Sequence, residues 1–167
     1  MEPGITPESS FIFHPIGIIH SPYKDTKGMP VQTAGARGVK GSIAIFEKYA
    51  GGLKDLEGFS RIILIYALHK SEGSPLEVIP FLDTVKRGVF ATRAPKRPNV
   101  IGISVVHLVE VEGSTIGIED VDVLDGTPLL DIKPYIPELD SYPDASPGWT
   151  ATALKDFRNT RADGRFS

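Results

Sequence analysis

Apolar residues, many of them β-branched, fall along this chain in short bursts separated by glycine, proline and charged residues. Bursts of that length between turn-forming residues read as strands. Strands are therefore expected over 11–20, closed by Ser21-Pro22, and over 41–46, 89–92, 101–111, 115–123 and 129–132. The run RIILIYALH at 61–69 is apolar almost throughout, which predicts a strand buried on both faces and ending at His69. Glu112-Gly113-Ser114 sits between two runs as a hairpin connection. Residues 24–38 and 71–80 read as loops, the first polar and glycine-rich, the second carrying Pro75 and Pro80. Residues 49–56 fit a short helix stopped near Gly58, and 150–161 are weakly helical. Close-spaced short strands with Gly/Pro turns predict a mainly β fold, a barrel or sandwich with a few short helices.

The boundaries follow from the same pattern. Residues 1–10 predict a disordered N-terminus, 11–140 the β domain, and 141–167 a polar tail that packs on the barrel or a partner subunit through Trp149 and Phe157. A length of 167 residues favours one domain. A hydrophobic share of 41% with 23% charged residues places it among ordinary globular proteins. The net charge of −3 excludes a globally basic surface, so any nucleic acid must meet a local patch. Lys40, Arg87, Arg93, Lys96 and Arg97 are its candidates, unless they are simply solvated charges. The absence of cysteine removes disulfides, zinc–thiolate sites and thiol nucleophiles. The first ten residues lack the basic and apolar regions of a secretory signal, and no apolar stretch approaches the roughly 20 residues of a membrane span, so a cytoplasmic protein is expected.

The candidate chemistry lies in the middle third. No G-x-G-x-x-G follows a strand and no P-loop occurs, which argues against a Rossmann-type cofactor site. Asp120, Asp122, Asp125 and Asp131 invite a metal, but an EF-hand frame puts Leu124 and Asp125 where its geometry is strictest. A turn at Asp125-Gly126-Thr127-Pro128 is the better reading, with a ligand site second and no metal expected. His14, His20, His69 and His107 are too scattered for zinc. His69, at a strand end, reads equally as a hydrogen-bonded or a functional histidine. Arg93 and Arg97 flank Pro95 in a turn that ends at Pro98, which presents two planar guanidiniums with little entropy to lose. They would bind phosphate or carboxylate, or pair with the acids of 120–131; either way the two segments come together.

Several motifs occur in one order: IGIIHSPYK (16–24), Pro30-Val31-Gln32, GLKDLEGFS (52–60), the strand ending in His69, GVFATR (88–93), RPNVIGIS (97–104) and LDGTPLLDIKPYIP (124–137). In this the chain resembles the TrmO/TsaA-like tRNA methyltransferases, and Gly148-Trp149 with ADGRF (162–166) resembles their short archaeal-type members. The resemblance implies a small single-sheeted β-barrel and a homodimer that binds S-adenosylmethionine without a Rossmann fold. It implies methylation of N6 of N6-threonylcarbamoyladenosine at position 37 of tRNA, in the anticodon loop. It places the cofactor against Pro30, Val31 and Gln32, against His69 and Lys70, and against Arg93. The turn of Asp122, Leu124, Asp125, Gly126, Thr127 and Pro128 completes that site, with Asp125 a partner for the methionine ammonium. Arg37, Arg93, Lys96 and Arg97 are the expected RNA contacts. His69, Asp131 and Tyr135 are the candidates for a base, if one exists. The family commonly has Pro-Arg-Gln where this chain has Pro30-Val31-Gln32, which keeps open another RNA or a small metabolite as acceptor; a non-catalytic barrel that only binds RNA or nucleotide is the alternative of a different class.

Overall fold

The computed structural model describes residues 5, 6, 8–81, 83–151 and 160–163. Its strands are β1 (Gly17–His20), β2 (Lys40–Ile45), β3 (Arg61–Ala67), β4 (Glu77–Val78), β5 (Arg87–Gly88), β6 (Ile101–Glu112), β7 (Thr115–Glu119) and β8 (Thr127–Pro134). Six of these close a barrel in the order β1-β2-β7-β6-β3-β8, and β4 and β5 form a separate ribbon. Every barrel pairing is antiparallel. Helical structure is confined to 3-10 turns and one short helix, α1 (Pro137–Asp140).

The barrel closes because alternate residues of each strand turn inward and are apolar. Ile19, Ile43, Ile62, Leu64, Val106, Ile116, Ile118 and Leu129 are buried in its interior. Val121 and Val123, on the segment between β7 and β8, plug one end. At about 25 cal/mol per Å² of apolar surface removed from water, each such side chain contributes roughly 1.5–3 kcal/mol. The β6–β7 hairpin turns at Gly113, whose φ of +59° suits glycine.

β3 departs from the expected two-faced burial. Ile62, Leu64 and Tyr66 turn inward, whereas Ile63 and Ile65 on the outer face are only partly buried, because one chain covers only the interior of its own barrel. The expected strand over 11–20 narrows to β1, after Pro15, which has no N–H to donate to a ladder. Residues 89–92 are not a strand. The Val89 N–H bonds to Leu76 O to finish the small ribbon, and Thr92 then bonds back to Val89 O through its N–H and its hydroxyl. A 3-10 turn over Val89–Ala91 results. Most of 150–161, with Phe157, lies outside the described residues.

Candidate functional site

One end of the barrel opens into a cavity of about 970 Å³. Its walls come from the loop at 29–32, the ends of β3 and β6, the turn at 90–97, the 122–127 crossing and the tail. The tail is tied in place. Ala162 exchanges backbone hydrogen bonds with Gly28 and Met29, both at 2.8 Å, and the Trp149 indole N–H donates to Ala91 O at 2.8 Å. The Arg87 guanidinium lies 5.4 Å from the Trp149 ring centre.

The two motif segments do meet here. Arg93, Arg97, Asp122, Leu124 and Thr127 all line the cavity, as do Pro30, Val31, Gln32, His69 and Lys70. Arg93 Nη1 donates to Gln32 Oε1 at 2.8 Å, which ties the exposed arginine to the 29–32 loop. Arg97 turns back onto carbonyls of its own loop, Thr92 O at 3.3 Å and Ala94 O at 3.5 Å, so it shapes that turn.

Asp122 is held from behind. It follows Asp120, whose φ of +68° swings the chain across the barrel end. Although desolvation opposes it, the Gly38 N–H and Arg61 hold the Asp120 carboxyl below its ordinary range. Val121 and Val123 then enter the core, and Asp122 between them lines the cavity. Ser104 Oγ donates to Asp122 Oδ1 at 2.6 Å, and Tyr66 Oη lies 3.0 Å from Ser104 Oγ. The one hydroxyl hydrogen of Ser104 is committed to the carboxylate, so Tyr66 is the donor in the second bond. Loss of solvation pushes the Asp122 carboxyl up to about 6, against the hydrogen bond of Ser104 and the charge of Arg93. Burial likewise raises the Tyr66 phenol, with the charge of Asp122 adding to it.

Gly102 makes this chain possible. It pairs with Tyr66 across β3 and β6, and a Cβ on Gly102 would stand 2.2 Å from the Tyr66 ring. The ring lies over the glycine and delivers its hydroxyl to Ser104, two residues along the same face of β6.

Other expected site residues stand elsewhere. Asp125 is not a cavity residue. Lys24 Nζ bonds its Oδ2 at 2.6 Å and the Ser21 N–H bonds its Oδ1 at 3.1 Å, and together they hold its carboxyl down at about 2. It pins the 122–127 crossing to the end of β1. Gly126, with φ of +76°, and Pro128, paired with Ile18 in the ladder, build the same crossing without lining the cavity. Asp131 pairs with Lys133 at 2.9 Å on β8, and Tyr135 follows that strand; neither reaches the cavity. Arg37 and Lys96 are not lining residues either. Sequence reasoning missed Tyr66, Gly102 and the outer-face Ile101 and Ile103, which also line the cavity, and Ser104, which stands behind Asp122. A tyrosine inside an apolar run was the one available signal. Among the described residues no group of three or more His, Cys, Asp or Glu is placed to hold a metal, and no helix is long and apolar enough to cross a membrane.

Residues 18–141 match the family described as the tRNA-methyltransferase O N-terminal domain. A probable S-adenosyl-L-methionine-binding protein of Pyrococcus abyssi is 51% identical over 154 residues, 92% of this chain and 84% of that one. The tRNA (adenine(37)-N6)-methyltransferase of Escherichia coli is 38% identical over 155 residues, covering 87% of this chain and 66% of the enzyme. The crystal structure of TrmO from Pseudomonas aeruginosa superposes with a TM-score of 0.72 at 34% identity, over 84% of this chain and 63% of that chain. This chain thus spans less than two thirds of the length of those last two proteins.

Proposed function

Because the chain belongs to the tRNA-methyltransferase O N-terminal domain family, we propose that it is an S-adenosylmethionine-dependent methyltransferase acting on N6 of adenosine 37 of tRNA, with N6-threonylcarbamoyladenosine as the acceptor. The observation that carries this reading is the cavity at the barrel end, which sets the Arg93 guanidinium and the desolvated carboxylate of Asp122 among apolar walls. Those donors suit the cofactor. Arg93 fits its carboxylate, Asp122 a positive centre, and Leu68, Phe81, Phe90 and Val123 its adenine. The likeness to the P. abyssi and E. coli proteins supports the cofactor and N6 of adenosine 37, and the threonylcarbamoyl group rests on the motif resemblance. Lys70 on the cavity wall supplies positive charge for the RNA backbone. The urea-like N6 of the modified base is acidified by its carbonyl, so positioning and one modest base meet the chemical demand. The protein would act in the cytoplasm, where tRNA is modified.

Calorimetry tests the cofactor half of this reading. Arg93→Ala is expected to weaken S-adenosylmethionine binding by about 10-fold or more, roughly 1.4 kcal/mol, by removing the charge that meets its carboxylate. No heat of binding from the unaltered protein at about millimolar cofactor would overturn the proposal.

We infer further that the working unit is a homodimer joined through the outer face of β3 and β6. Across those strands Ile63 faces Val105, Ile65 faces Ile103 and Ala67 faces Ile101, an outward row of apolar pairs. Ile101, Ile103 and Val109 are 42%, 53% and 50% exposed in the single chain. An outward apolar row of this kind suits a protein contact better than exposure to water. Since Ile101 and Ile103 also line the cavity, a second copy seated there would complete its wall. Sedimentation should show a dimer that Ile103→Lys converts to a folded monomer. A monomeric unaltered protein would overturn the inference.

A further inference from the structure

Resting on the methyl-transfer reading above, we propose that Asp122 takes the proton from the acceptor nitrogen and stands as the counter-charge to the positive methyl donor. Asp122 is the one carboxylate among the described residues that line the cavity. Ser104, 4% exposed, and Tyr66, 7% exposed, hold it through two hydrogen bonds in series from the inner faces of neighbouring strands. A carboxylate so held has little rotamer freedom left to lose when the acceptor arrives. The Tyr66 phenol keeps its proton, because burial raises it, so the support stays a donor and never competes for the acceptor's hydrogen. His69, exposed in the turn past β3, has no comparable support.

The bound cofactor supplies a methyl group on a sulfonium, and the electron pair of the broken carbon–sulfur bond leaves with a neutral thioether. The acceptor's N–H bond breaks, nitrogen bonds the methyl carbon, and the proton ends on a carboxylate oxygen of Asp122. A cation and an anion disappear together. A poorly solvated site favours that change because each charge costs more there than in water. A carboxyl at about 6 is also close to the working pH of a general base. The titratable or charged groups facing it are Tyr66 on β3, Tyr23 after β1 and Arg93 on the opposing turn.

Two readouts test this, one without any acceptor. At about pH 6 the free carboxyl is near half-protonated, so binding a sulfonium should release up to about half a proton. S-adenosylhomocysteine, a neutral thioether, should release less. Calorimetry in buffers of different ionisation enthalpy counts those protons. Asp122→Asn should abolish the difference between the two ligands while holding S-adenosylhomocysteine within about threefold of the unaltered affinity, which shows that the cavity is intact. With tRNA, the same variant should lose about 100-fold or more in kcat. Ser104→Ala should move the acid limb of the pH–rate profile upward, since that hydroxyl stabilises the carboxylate, and Ser104→Thr should restore it. Equal proton release by the unaltered protein and Asp122→Asn, or turnover of Asp122→Asn within about threefold of the unaltered rate, would overturn the proposal. Absence of turnover with every tRNA would instead overturn the functional reading, and the proton count would still decide the counter-charge role of Asp122.

Discussion

Replacing Asp122 with asparagine should make the folded protein more stable at about pH 8, and the gain should vanish near about pH 4. The folded carboxyl sits at about 6 against an ordinary 3.8, so the native state binds this proton more tightly than the unfolded chain does. Below 3.8 both states are protonated and the group costs nothing. Between 3.8 and about 6 the cost grows, and above about 6 it is present in full. The gap corresponds to at most about 3 kcal/mol, and residual solvent at the cavity surface lowers it. Asparagine keeps the shape and still accepts from Ser104, so the comparison isolates the charge. Asp120 and Asp125 are shifted the other way and lose their stabilising effect in acid, but they are common to both proteins and cancel in the difference. Urea unfolding of the two proteins across that range measures the effect. A variant less stable than its parent at about pH 8 would show that the carboxylate is not strained by burial.

Gly102→Ala should cost about 1–3 kcal/mol of stability and weaken cofactor binding as well, because the new methyl group meets the Tyr66 ring. The ring is buried beside the barrel interior and is held by its hydroxyl on Ser104, so making room for the methyl group breaks that bond. Moving it withdraws the hydroxyl that supports Ser104, and through Ser104 the carboxylate of Asp122. Tyr66→Leu should remove most of the penalty of the alanine, although not the loss of the supporting hydroxyl. A double-mutant cycle on unfolding free energy therefore reads a coupling of about 1 kcal/mol or more between the two positions. Additive effects would place the cost of Gly102→Ala elsewhere than in the Tyr66 contact.

These positions show what the order of residues discloses and what it leaves to the fold. The strand at 61–67 was legible because six consecutive apolar or half-apolar residues after Arg61 leave few alternatives. That its two faces differ was not, since period-two alternation is invisible when both faces are apolar. The meeting of the 90–97 turn with the 122–127 crossing was foreseen from charge and turn chemistry, and the cavity confirms it. The roles of the four aspartates were not separable. Asp120, Asp125 and Asp131 each meet a basic partner, and only Asp122 faces the cavity, a distinction set by strand register and one left-handed residue. Tyr66 and Gly102 are 36 residues apart in sequence, and only the β3–β6 register makes them a pair. The expected strand at 89–92 failed because propensity could not reveal that Val89 closes the ribbon with Leu76.

The proposed reaction is methyl transfer to the modified adenosine next to the anticodon. The direct measurement incubates the protein with labelled S-adenosylmethionine and tRNA prepared with and without the threonylcarbamoyl group, followed by nucleoside analysis. Label recovered as the N6-methylated form of threonylcarbamoyladenosine, from the modified tRNA alone, is the expected result, with Val31 in place of an arginine notwithstanding. No label in either tRNA, from protein that binds the cofactor, would contradict the claim and move the search to another acceptor.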